Sequence, residues 1–259
     1  MFIDIDGRRH ETRVFTPEAY LFPDSAFVLL HEGLGCVALW KNFPQALADA
    51  TGMDVVAYSR AGYGDSSPVK VPRPLSYMHE EAEVWLPKIL ASLDYKKLML
   101  VGHSDGGSIA LIHAGSCADP RISGVITLAA HVFNEPVCVA SIEQAKEVYE
   151  QGGLRDSLAR YHGDNVDVAF WGWNQAWLHP DFMAWNIEEY LPGIRVPLMA
   201  VQGENDEYGT TDQINAICRQ AGGACEPVLL PNCRHAIHRD APAELIGAIS
   251  GFISKYQTV

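Results

Sequence analysis

Apolar residues fall along the chain in two alternating patterns: short runs of strand length, and stretches in which they recur every three or four positions. The runs predict strands over 2–6 and 10–15, around the turn Asp6-Gly7, and over 26–30 (AFVLL), 53–59 (MDVVAYS), 97–101, 122–130 (ISGVITLAA), 197–203 (PLMAVQG) and 226–230 (EPVLL). Helical spacing predicts helices near 40–50, where Trp40, Phe43, Leu47 and Ala50 share a face, and over 76–93, 105–116, 210–221 and 242–256. Strands alternating with helices imply an α/β fold, a mostly parallel sheet covered on both faces.

The alternation stops at 131–192. That span offers no strand, and helices are predicted over 139–151, 154–161, 165–177 and 182–190. It reads as a helical insertion that separates an N-terminal core part, 1–130, from a C-terminal one, 193–259. The block is rich in aromatic residues, and Phe170, Trp173 and Trp177 fall on one helical face. Most of these rings should pack the block onto the core. Phe133, Trp173 and Trp177 are the expected lining of an apolar substrate pocket.

With 259 residues, 48% of them hydrophobic, the chain is long enough for one large core. A net charge of -13 argues against nucleic acid or an anionic membrane surface as a partner. The opening MFIDIDGRRHETRVF lacks the apolar run of a secretory signal, and no segment approaches the roughly 18 apolar residues of a membrane span. A cytoplasmic protein is therefore expected. The six cysteines form no C-x-x-C pair and read as free, mostly buried thiols. Cys233 and His235 have no second pair at zinc spacing, so no metal site is expected.

In open α/β sheets, ligands bind beyond the carboxyl ends of the strands. Beyond 26–30 lies His31-Glu32-Gly33-Leu34-Gly35, and beyond 97–101 lies Gly102-His103-Ser104-Asp105-Gly106-Gly107. Asp206 follows 197–203, and PNCRHAIHRDAP, holding His235 and His238, follows 226–230. A serine between two glycines at a strand–helix junction is either a helix cap or a nucleophile. The glycines let strand and helix approach closely, and the helix N-terminus favours developing negative charge.

These stretches resemble the α/β-hydrolase family in its serine-nucleophile branch, over nearly the whole chain. Gly102-x-Ser104-x-Gly106 is similar to the family's nucleophile elbow. Ser104, Asp206 and His235 follow its triad order, LLHEGLG resembles its oxyanion loop, and YSRAGYGDSS its Arg-x-Gly-x-Gly-x-Ser loop. The resemblance implies an eight-stranded sheet with a helical lid at 131–192. It implies Ser104 as nucleophile, His235 as general base and Asp206 as its orienting partner. The amides of Asp105 and of Gly33 or Leu34 would hold the oxyanion. No metal or organic cofactor is implied.

Two departures stand out. Glu32 occupies a place where the family's loop usually has glycine, which leaves both Gly33 and Leu34 open as donors. Asp105 stands where many relatives have an apolar residue, and its carboxylate is expected to turn away from the oxyanion. Serine at the apex excludes the carboxylate-nucleophile branches, the haloalkane dehalogenases and epoxide hydrolases. His238 is expected to support the loop, His31 and Arg60 to tie loops down, His103 to pack beside the strand end, and Glu204 and Glu207 to be solvated.

The expected activity is hydrolysis of a small, mostly neutral carboxylic ester, with that small molecule as the only partner implied; nothing in the sequence bears on oligomeric state. The alternatives are a carbon–carbon bond hydrolase of ring-cleavage products or a lactonase, a cofactor-free perhydrolase, and a triad-bearing ligand receptor with little turnover. An inward-facing Arg155 or Arg160 would favour the carbon–carbon hydrolase by clamping a carboxylate.

Overall fold

Apolar runs without polar positions need cover on both faces, and such runs form the centre of the sheet. The computed structural model describes residues 1–256, so the last three residues of the predicted C-terminal part lie outside the described residues. Its strands are β1 (Phe2–Ile5), β2 (Arg8–Phe15), β3 (Ser25–Leu30), β4 (Asp54–Tyr58), β5 (Lys97–His103), β6 (Ile122–Leu128), β7 (Leu198–Gly203) and β8 (Cys225–Leu230). They make one eight-stranded sheet in the order β1-β2-β4-β3-β5-β6-β7-β8. Strand β2 pairs antiparallel with β1 and β4, and the remaining pairs are parallel. Strands β3, β4 and β7 are buried along their whole length, whereas the edge strands β1 and β8 are partly exposed.

The helices follow in chain order. Before β5 come α1 (Phe43–Thr51), α2 (Tyr77–Glu80) and α3 (Leu86–Ala91), and after it α4 (Asp105–Ser116). Between β6 and β7 lie α5 (Pro136–Glu150), α6 (Gly153–His162) and α7 (Val166–Trp177). Helix α8 (Thr211–Gln220) precedes β8, and α9 (Ile237–Asp240) and α10 (Pro242–Tyr256) follow it.

Side chains of the sheet alternate between two core layers, as the pleat requires. Ala26, Val28 and Leu30 of β3 join one layer, and Phe27 and Leu29 the other. The first layer is closed by α2, α3, α4 and α8, through Tyr77, Leu86, Ile109 and Ile214. The second is closed by α1 and α10, through Leu47, Ile249 and Phe252.

Three expectations are corrected. The helix expected over 76–93 is α2 and α3 joined by a π-helical turn, Glu81–Trp85. Pro87 follows that turn; it has no N–H to give the carbonyl four residues back, and the ladder widens ahead of it. The helix expected over 182–190 is two 3₁₀ segments, Pro180–Ala184 and Glu188–Gly193, separated by a β-bridge from Asn186 to Phe133 that pulls the chain out of helical geometry. The cysteines are not all free: Cys218 and Cys225 form a disulfide with their Cα atoms 5.1 Å apart. The turn from α8 into β8 brings the helix end to the strand start, a proximity that seven residues of separation do not reveal. Cys36, Cys138 and Cys233 are free and buried. Among the described residues, no helix is long and apolar enough to cross a membrane.

Where β5 meets α4, the backbones touch. A Cβ on Gly102 would stand 2.2 Å from the Gly106 carbonyl oxygen, and one on Gly106 would stand 2.0 Å from the Leu30 carbonyl oxygen. Backbone cannot yield as a flexible side chain does. Gly106→Ala is expected to destabilise the fold by about 1–3 kcal/mol or more, read as a lower midpoint of urea unfolding.

Candidate active site

Ser104 sits alone between β5 and α4 with φ 51° and ψ -119°, a positive-φ conformation that a non-glycine residue holds only under constraint. Its amide donates to the Leu128 carbonyl at 2.8 Å, and its carbonyl accepts from the Gly107 amide at 2.8 Å. The strand end and the first helical turn thus clamp it from both sides.

Asp206 and His235 arrive from the loops after β7 and β8. Those loops are joined by the Asn205 amide donating to the Cys233 carbonyl at 2.9 Å. His235 Nδ1 lies 2.8 Å from Asp206 Oδ1. A carboxylate accepts, so Nδ1 carries the proton and Nε2 is left bare. The Asp206 carboxylate also accepts from the Tyr208 amide at 2.9 Å and from Gln202 Nε2 at 2.6 Å. Burial pushes its pKa up, but the hydrogen bond and charge of His235 and the Tyr208 amide outweigh that and hold it below the usual carboxylate range. Burial pulls His235 down, but the Asp206 hydrogen bond and charge raise it, with Glu207 and Glu32 adding to the rise.

Ser104 and His235 line one cavity of about 100 Å³. Leu34, Cys138, Ile142, Trp173 and Trp177 form its apolar wall, and Glu32, His131 and Tyr208 add polar groups. Gly33 and Asp105 line it too. Among the described residues, the amides of Gly33, Leu34 and Asp105 donate to no protein acceptor outside helical bonding. The Asp105 carboxylate is fully buried, accepting from Tyr77 Oη at 2.5 Å and from Trp177 Nε1 at 3.2 Å. Burial raises its pKa, against the pull of Arg60 and these two donors.

His31 and Arg60 fasten the loop after β3. Arg60 Nη1 and Nη2 donate to the carbonyls of His31 and Glu32 at 2.5 and 3.0 Å. From α6, His162 Nε2 reaches the Leu34 carbonyl at 3.0 Å. His238 is packed against Trp40, with ring centroids 4.8 Å apart, and burial lowers its pKa to about 3. Glu207 is exposed, yet its carboxylate accepts from the His235 amide at 3.1 Å, a contact the sequence reading missed.

Phe133 does not join the cavity wall, contrary to expectation. Its carbonyl accepts from Gln213 Nε2 at 3.0 Å, its backbone bridges to Asn186, and it lines a separate cleft with Asp212 and Arg219. Arg155 is held in a two-point ion pair with Asp167, at 2.9 and 2.7 Å, and Arg160 is exposed, so neither lines the cavity. His131 and Tyr208 were also missed. His131 follows β6, so the same rule of strand ends would have found it; burial lowers its pKa to about 3, leaving it neutral. Among the described residues, no group of three or more His, Cys, Asp or Glu side chains is arranged to hold a metal ion.

Residues 27–248 match the model of the alpha/beta hydrolase family, and the chain belongs to that family. Sequence comparison with curated proteins finds no match. A proline iminopeptidase from Mycobacterium smegmatis is similar in structure, with TM-score 0.75 and 17% identity over 99% of this chain and 98% of that one. A structure from a study of carboxylesterases of Nitrososphaera gargenis has TM-score 0.76 and 18% identity, over 99% and 98% of the two chains. The enol-lactonase from Burkholderia xenovorans has TM-score 0.68 and 19% identity, over 98% and 100%. At these identities the likeness concerns the fold.

If His235 is the base that takes the Ser104 proton, kcat/KM should fall as pH drops through the pKa of His235, because an imidazolium cannot accept that proton. Because that pKa is raised, the acid limb should have its midpoint above the ordinary histidine value of 6.5. Asp206→Asn removes the main raising contact, so the limb should move to lower pH while turnover drops by about 10⁴-fold. A pH series of kcat/KM on wild type and variant checks both.

Proposed function

We propose that the protein is a serine hydrolase that cleaves small, mostly neutral carboxylic esters. The observation that carries this reading is the convergence of a strained Ser104 and a His235 hydrogen-bonded to Asp206 on one small, largely apolar cavity. His235 Nε2 takes the proton of Ser104 Oγ as that oxygen attacks the ester carbonyl. The carbonyl oxygen becomes an anion held by the amides of Asp105 and of Gly33 or Leu34. His235 then protonates the departing alcohol, leaving an acyl group on Ser104. Water, deprotonated by His235, releases the acid and restores the serine.

Substrate charge follows from the lining. Glu32 is the charged group of the cavity wall outside the triad and its neighbour Asp105, and among the described residues no arginine or lysine lines it. A carboxylate-bearing substrate therefore finds no cationic clamp in the cavity wall, which disfavours the carbon–carbon hydrolase reading. The helices between β6 and β7 supply Cys138, Ile142, Trp173 and Trp177 and act as a lid over the acyl group. The small volume favours short acyl chains.

Two measurements test this reading. A fluorophosphonate probe is expected to label the wild type at one site and to leave Ser104→Ala unlabelled. Across p-nitrophenyl esters of graded length, kcat/KM should be highest for short chains and lower for an ester bearing a free carboxylate. Labelling that persists in Ser104→Ala, or a preference for the anionic ester, would overturn it.

A further inference from the structure

Glu32 and His103 form a contact that the triad does not use. His103, the residue before Ser104, is 2% exposed. Its Nε2 lies 3.0 Å from the His235 carbonyl oxygen, and its Nδ1 lies 3.3 Å from Glu32 Oε2. A carbonyl only accepts, so Nε2 must carry hydrogen. A neutral ring would then turn the bare lone pair of Nδ1 toward a carboxylate. The contact is attractive only with a second proton, on Nδ1 or on Oε2.

Glu32 is well placed to keep the ionised side of that choice. An imidazole is ordinarily a stronger base than a carboxylate, so a proton shared between Nδ1 and Oε2 belongs on Nδ1. Burial pushes the Glu32 carboxyl pKa up, but the hydrogen bond and charge of a protonated His103 outweigh that and hold it below the usual carboxylate range. Its backbone is fixed as well: the Glu32 carbonyl accepts from Arg60 Nη2 at 3.0 Å, His31 Nδ1 at 2.7 Å and the Gly35 amide at 3.1 Å. Gly35 leaves room for the carboxylate, since a Cβ there would stand 2.3 Å from Glu32 Oε2. The other rings around His103 are those of His235 and His238, each at 5.1 Å, and Trp40 at 6.3 Å.

We propose that Glu32 and His103 form a second acid–imidazole couple, a carboxylate and an imidazolium, that positions His235 and ties the oxyanion loop to it. The couple joins three segments, the loop after β3, the end of β5 and the loop after β8, and each carries one part of the site. Glu32 and His103 are positioning residues that act through the backbone of His235. Only the turnover arm of the test rests on the serine-hydrolase reading.

The protonation arm uses nitrogen-15 NMR of the histidine rings near neutral pH, with His103 assigned by its loss in His103→Gln. Wild type is expected to show both His103 nitrogens as N–H, and Glu32→Gln only one, because an amide can donate to a neutral Nδ1. A neutral His103 in wild type, or a doubly protonated one in Glu32→Gln, overturns the couple. The turnover arm uses p-nitrophenyl acetate. Glu32→Ala should lower kcat about 10–100-fold with KM held within about twofold, and Glu32→Gln should recover part of the loss. A change confined to KM, or an unchanged kcat in folded Glu32→Ala, overturns the positioning role. If Glu32→Ala does not fold, the isosteric Glu32→Gln and the NMR arm decide. A wild type without turnover counts against the hydrolase reading, and the NMR arm still decides the couple.

Discussion

The site depends on a close approach of backbone to backbone. The first turn of α4 is pressed against the ends of β5 and β3, with Gly102 and Gly106 at the points of contact. That approach leaves Ser104 no room for ordinary extended or helical geometry, and its φ of 51° is the result. A side chain at either glycine would push the helix away and relax the serine. The strain is held by the packing of α4, whose residues from Asp105 to His113 are all buried.

A buried polar network extends this constraint. Arg60, 1% exposed, donates to the carbonyls of the loop after β3, and its charge also acts on Asp105 and Glu81. Asp105 in turn takes hydrogen bonds from Tyr77 of α2 and Trp177 of α7. Charges this deep are tolerated only when paired or hydrogen-bonded, so the network allows few arrangements of its parts. It links the first turn of α4, the loop after β3 and the helices above the cavity. The carboxylate of Asp105 is engaged there, and its amide remains at the cavity.

The cavity combines elements far apart in the chain. Strand ends supply Ser104, His131 and the loops of Asp206 and His235, while α5 and α7 supply Cys138, Ile142, Trp173 and Trp177. Gly33 lies under Trp173, where a Cβ would stand 2.2 Å from the indole ring. Tight packing of tryptophan on the loop after β3 accounts for a volume as small as about 100 Å³.

The sequence by itself determined the sheet and most of its helices, because a strand buried on both faces must be apolar throughout and a covering helix apolar on one side. It also determined the order of Ser104, Asp206 and His235 at the ends of β5, β7 and β8, since chain order and strand direction place them on one edge. The tertiary structure alone decided which groups meet there. Trp173 and Trp177 reach the cavity but Phe133 does not, because a bridge to Asn186 turns its segment elsewhere. Arg155 is taken by Asp167, Cys218 by Cys225, and Glu32 by His103. Such pairings depend on distances between segments remote in sequence or across a turn, and periodicity reports only which face of its own element a residue occupies.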